Sequence, residues 1–343
     1  GTVTLVSTGV TINGDALFSA GDLAAGSNTL IMNGPTWSTN GGSFTPGTGT
    51  VEITGNTSIL GTSTPQFYNL TVAAGAICTA RAGVMDIESN LQINAASTFN
   101  HNNGTFNFTG AGLQVITAGG KNLYDITVNK TGGNLQLTSA LNLINSLRVI
   151  SPTTVESAGN LVLVSTSDGT TGNARIGQLL GGANITGNVT AQRFMSDEGR
   201  LYRYISSPVT NASVAQLQDD FPVTGTFAGA STGCTGCTAN PSMYYYDETV
   251  AGTLQDGYFQ FPVASNTEIL QPGRGYVPFV RDDIIPGNVT IDVTGPLNQG
   301  SIAFPVTFSG DEATAYNLVG NPYPSSIAWN NESGWTKINI SGS

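Results

Sequence analysis

The chain has 343 residues, only 10% of them charged, with 22 Asp and Glu against 11 Lys and Arg and a net charge of −11. No cation cluster is present to displace phosphate counterions, so nucleic acid is not an expected partner. Scarce Glu, Lys and Arg with 44 glycines argue against a helical bundle, and a hydrophobic content of 39% excludes a disordered chain.

The chain is expected to be all-β. Residues 1–180 predict a parallel β-helix (solenoid) with an N-terminal cap over residues 1–45, and residues 181–343 predict an antiparallel β-sandwich-like domain. The first region repeats. Gly49-Thr50-Val51-Glu52-Ile53-Thr54-Gly55 returns as Gly104-Thr105-Phe106-Asn107-Phe108-Thr109-Gly110. Phe67-Tyr68-Asn69-Leu70-Thr71-Val72 returns as Leu123-Tyr124-Asp125-Ile126-Thr127-Val128. Two blocks returning at nearly one offset signal structural repetition. A shorter unit, Asn-Leu-x-apolar, starts at Asn69, Asn90, Asn134 and Asn160. The step from Asn69 to Asn90 fits one full coil, with Leu70, Leu91 and Leu135 pointing inward and the residue after each outward. The leading Asn suits either a stacked amide ladder or a simple turn preference. Glu52, Asp86, Glu88 and Asp125 are the acids of the central repeats. With Asn107 matching Glu52, and Asn69 matching Asp125, no carboxylate column is expected.

Beyond residue 180 proline and tyrosine become frequent, and proline interrupts long ladders. Strands are predicted at 189–194, 201–205, 243–246, 258–261, 275–280, 289–293, 302–308 and 316–319, with a short helix over 214–219 capped by Ser213. No run of about 18 apolar residues occurs, so membrane insertion is not expected.

The single histidine, His101, reads as an exposed turn residue. Nothing matches a nucleophile elbow, a P-loop or a zinc-protease helix. Cys234-Thr235-Gly236-Cys237 lies in a Gly/Thr-rich loop without a βαβ unit, which favours a loop-clamping disulfide over a redox or zinc motif. Cys78, among apolar residues, reads as a buried small hydrophobe. No cofactor is required by the sequence. Ca²⁺ is the one ion weighed, on the acidic pairs Asp219-Asp220 and Asp282-Asp283, with Asp311-Glu312 a further pair; solvated turns are the competing reading. Tyr244, Tyr246, Trp329 and Trp335 are candidates for stacking on sugars, against an ordinary core role.

Two stretches, Gly187-Asn188-Val189-Thr190-Ala191-Gln192-Arg193-Phe194 and Tyr202-Arg203-Tyr204-Ile205-Ser206-Ser207-Pro208-Val209, resemble a module of very large secreted Bacteroidota proteins. So do Leu270-Gln271-Pro272-Gly273-Arg274-Gly275-Tyr276 and the run Gly320-Asn321-Pro322-Tyr323-Pro324. The resemblance implies an extracellular, secreted or surface-attached protein exported by the type IX route, with no particular activity. The chain is expected to be a piece of a longer gene product. The expected function is a non-enzymatic structural or adhesive surface module. Its expected partners are other copies of itself, in a filament, or cell-surface and matrix components including glycans. The rival is a carbohydrate-binding or polysaccharide-degrading β-helix.

Overall fold

The computed structural model describes residues 1–169, 171–196, 201–281, 287–310, 315–329, 336 and 338. It divides into two compact units, Gly1–Thr190 and Ala191–Ser343.

The first unit is a parallel β-solenoid. One face holds nine parallel strands, from Val10–Ile12 through Thr29–Met32, Thr50–Ile53, Asn69–Val72, Leu91–Ile93, Gln114–Thr117, Leu135–Leu137 and Thr154–Glu156 to Asn184–Thr186. Leu70 lies in register with Val51 on one side and Leu91 on the other. Leu70, Leu91 and Leu135 are all buried. Each contributes about 1.5–3 kcal/mol of burial to a column that only stacking can keep dry.

The sheets that close each coil change along the unit. The early coils have three faces. A five-stranded sheet runs through Ala16–Phe18, Thr36–Thr39, Asn56–Gly61, Ile77–Thr79 and Thr98–Asn100. A three-stranded sheet holds Thr2–Thr4, Asp22–Ala24 and Ser43–Thr45, and from Gln66–Phe67 onward its place in each coil is taken by a longer sheet. That longer sheet carries Val84–Ile87, Thr105–Phe108, Asn122–Val128, Leu141–Val149 and Leu161–Leu163. After Thr98–Asn100 the five-stranded sheet ends, and the longer sheet covers its side of the coil as well: Leu141–Val149 pairs Leu161–Leu163 through Leu141–Leu143 and Arg175–Ile176 through Ser146 and Leu147, and a register shift between Leu123 and Asp125 bends the strand before it. The first coils add rings to their aliphatic core: Trp37 lies 4.9 Å from Phe18, 4.9 Å from Phe44 and 5.5 Å from Phe67. The later coils bury Leu123, Ile126, Val128, Leu135, Leu141 and Leu147.

Several expectations are corrected. Thr50–Ile53 and Thr105–Phe108 lie on different faces, so the long offset corresponds to two coils plus two faces. The true neighbours of Glu52 are Ile31 and Thr71, and Asn107 stacks on Asp86 and Thr127. The Asn160 copy begins Leu161–Leu163, which pairs Leu141–Leu143 rather than Leu135–Leu137. Residues 1–45 form the first coils rather than a separate cap, and the unit extends to Thr190 because Asn184–Thr186 pairs Thr154–Glu156.

The second unit is antiparallel. Its four-stranded sheet has the order Leu201–Tyr202, Val277–Val280, Met243–Tyr246, Tyr258–Gln260. Asn188–Met195 crosses the division between units, and its sheet neighbour in the second is Val289–Pro296. The helix is one turn, Val214–Leu217; Ser213 occupies its N-cap without a side-chain hydrogen bond. Residues 302–308 are not a strand, although their apolar alternation predicts one, and 316–319 contributes only an isolated bridge from Val319 to Arg274.

Candidate functional site

On the solenoid the polar side chains are spent on the coils themselves. Asn69 Oδ1 accepts from the Asn90 backbone N–H at 3.2 Å, and Asn90 Oδ1 from the Val115 N–H at 3.0 Å. The corner asparagines therefore ladder through backbone amides rather than amide to amide. Asp86 accepts from Asn107 Nδ2 at 2.7 Å. Asp125 accepts from Asn145 Nδ2 at 2.8 Å and Ser146 Oγ at 2.5 Å. Through Asn107 and Thr127 the register sets Asp86 two strands and two residues away from Asp125, roughly 12 Å at ordinary sheet spacings. Glycoside hydrolysis needs paired carboxylates within roughly 5–9.5 Å.

His101 is half-buried rather than exposed. Its ring stacks on Tyr124, centroids 5.5 Å apart, its Nδ1 accepts from the Asn103 N–H at 3.0 Å, and burial lowers its pKa. Cys78 is buried as expected, and desolvation pushes its thiol up to about 12, far from a reactive thiolate.

Sequence reasoning missed a polar pair in the core. Gln114 occupies an inward position, in register with Leu135. Its Nε2 donates to the carbonyls of Ile87 and Ser89, at 2.8 and 3.0 Å. Lys130 Nζ donates to Gln114 Oε1 at 2.7 Å and to the carbonyls of Gly110 and Gly112, at 3.1 and 2.8 Å. Burial lowers the lysine pKa to about 8. All three ammonium protons have acceptors, so the pair plugs a turn. The one visible signal was a Gln where the pattern asks for an apolar residue.

In the second unit Cys234 and Cys237 form the expected disulfide, with Cα atoms 5.2 Å apart. Arg281 Nη2 lies 2.8 Å from Cys237 Sγ, and Nη1 donates to the Gly236 carbonyl at 3.1 Å. Asp220 Oδ2 accepts from the Asp292 N–H at 2.7 Å. Burial, with the charges of Asp292 and Asp219 adding to it, raises Asp220 to about 6. Among the described residues no three His, Cys, Asp or Glu side chains group to hold a metal ion. Asp282, Asp283, Asp311, Glu312 and Trp335 lie outside the described residues. Trp329 is 43% exposed, and nothing places it beside the tyrosines.

The tyrosines do converge. In the four-stranded sheet Tyr244 pairs Gln260 and Val277, Tyr246 pairs Tyr258, and Tyr202 pairs Phe279. Alternation along a strand sets these rings on one face, with Tyr204 two residues beyond Tyr202. Tyr202 lies 5.1 Å from Phe279 and 6.2 Å from Tyr244, and Tyr246 lies 5.0 Å from Tyr258. The hydroxyls link across strands, Tyr202 with Tyr244 and Tyr204 with Tyr258; burial and these contacts raise the pKa of Tyr244 and of Tyr258. Tyr244 Oη also donates to the Pro241 carbonyl at 2.7 Å. Gly257 makes room for Tyr246: a Cβ there would meet the ring at 2.5 Å. On the opposite face Met243, Pro278 and Val280 are buried and Arg274 stacks 5.0 Å over Tyr245, while Leu201 and Phe259 at the two edges are exposed. On the tyrosine face Tyr202 is 52% and Tyr204 71% exposed. Sequence reading picked out Tyr244 and Tyr246 but not Tyr202, Tyr204 or Phe279, which come from segments about 40 residues away on either side.

Fold and site together define a β-solenoid protein with an antiparallel unit that presents a tyrosine-rich sheet face. The chain belongs to the family described as Domain of unknown function (DUF8693), whose model matches residues 113–333. No curated protein and no solved structure matches the chain.

Proposed function

We propose that the chain is a non-enzymatic, extracellular structural and adhesive module, with the solenoid as a stiff spacer and the second unit as the contact element. The exposed tyrosine face carries this reading. Six aromatic rings gather on one sheet face and two of its tyrosines are more than half exposed, an arrangement that suits contact with a partner. The wide separation of Asp86 and Asp125, and the use of each in holding adjacent coils together, favours a scaffold over the polysaccharide-degrading alternative. A disulfide suits an oxidising exterior, as does the resemblance to secreted Bacteroidota modules.

Protease shaving of intact producing cells tests the location: release of fragments of this chain is expected, and full protection until lysis counts against it. Adhesion is tested by co-sedimentation of the purified chain with unfractionated extracellular matrix from the same cells. Retention that the Tyr202→Ala/Tyr204→Ala double variant loses is expected, and a chain that stays wholly in the supernatant overturns the adhesive reading.

A further inference from the structure

The ligand class follows from the size and chemistry of the tyrosine face. Four strands at about 4.8 Å spacing, with described lengths of two to four residues, give a face of roughly 200 Å². A specific protein partner buries about 800 Å² on each side, several times more. What fits is a ligand a few rings long. Five of the six aromatics are tyrosines, which pair an apolar ring with a hydroxyl that both donates and accepts. That combination matches a pyranose, whose axial C–H groups pack on rings and whose equatorial hydroxyls reach polar atoms at the ring edges. Charge narrows the choice. The chain carries −11 overall, so an anionic polymer is disfavoured.

We propose that Tyr202, Tyr204, Tyr244, Tyr246, Tyr258 and Phe279 form a binding face for a neutral oligosaccharide segment of a few pyranose units. This deepens the adhesive reading and rests on it.

Affinity electrophoresis of the full chain through gels containing soluble neutral polysaccharides (laminarin, xyloglucan, galactomannan) or anionic ones (alginate, hyaluronan) tests it. At least one neutral polymer should retard the chain and neither anionic one should. Tyr202→Ala/Tyr204→Ala should weaken that retardation at least about ten-fold, as expected for losing two stacking rings. Tyr124→Ala, in the solenoid, should leave it unchanged. Tyr202→Phe/Tyr204→Phe should keep most of the binding, which separates stacking from loss of fold, and thermal melts of each variant check the fold directly. Retardation by no neutral polymer, by anionic polymers alone, or equally in the double-alanine variant overturns the proposal. Failure here with matrix co-sedimentation intact leaves the adhesive module standing and removes only the sugar face.

Discussion

Asp220 and Lys130 are each held away from their ordinary protonation behaviour, and each should leave a trace in stability. Asp220 has a folded pKa of about 6 against an ordinary 3.8, so the native state holds its proton more tightly than the unfolded chain. Its penalty is absent below about pH 4 and complete above about pH 6, so its contribution to stability declines as pH rises through that window. Asp220→Asn keeps an oxygen for the Asp292 N–H and removes the charge. It should raise stability at pH 7 by on the order of 1 kcal/mol, discounted for partial exposure, and flatten the pH dependence between 4 and 6, both read by chemical denaturation. Lys130 has the opposite sign of charge and the same logic. Its folded pKa is about 8 against 10.5, so stability should increase as pH rises from 8 toward 10.5. Lys130→Met removes the donor to the Gly110 and Gly112 carbonyls, which water can reach, while Gln114 Oε1 keeps the Gly110 N–H at 3.2 Å. The variant should cost no more than about 1–2 kcal/mol and should abolish the rise in stability between pH 8 and 10.5, both read by chemical denaturation.

At the scale of elements, the coils approach so closely that turns tolerate no side chain at certain positions. A Cβ on Gly110 would stand 1.9 Å from the Glu88 carbonyl oxygen one coil below. The obstacle is backbone and cannot rotate away, so Gly110→Ala should destabilise the solenoid by more than about 2 kcal/mol in a urea melt, although alanine is ordinarily the safer residue. A truncation in the stacked column tests the core in the same way: Leu91→Ala should cost about 2–5 kcal/mol, because rigid ladders on both sides prevent collapse around the cavity. In the second unit the disulfide closes a very short loop. Reduction should cost only about 2 kcal/mol by the chain-entropy estimate, a shift resolvable by melting with and without a thiol reductant.

For the molecule as a whole, the parallel solenoid and the antiparallel unit were legible because each leaves a local mark. Leu70, Leu91 and Leu135 alternate with polar neighbours at strand period, and Met243–Tyr246 is apolar and turn-bounded. Strand pairing was less legible. The matched blocks around Thr50 and Thr105 look like stacked copies, yet they occupy different faces, because one apolar-polar alternation serves either face equally well. Similarly, residues 302–308 alternate like a strand without gaining a ladder partner among the described residues, and a strand exists only where a partner supplies its hydrogen bonds. The tyrosine face is the sharpest case. Tyr244 and Tyr246 advertise themselves as neighbours in one run, whereas Tyr202, Tyr204 and Phe279 join them only through sheet pairing. Local periodicity dictates which residues face inward, since that depends on chain geometry within a few residues. Which distant segments meet and which rings share one exposed face depend on long-range register, and only the folded sheet order decides those.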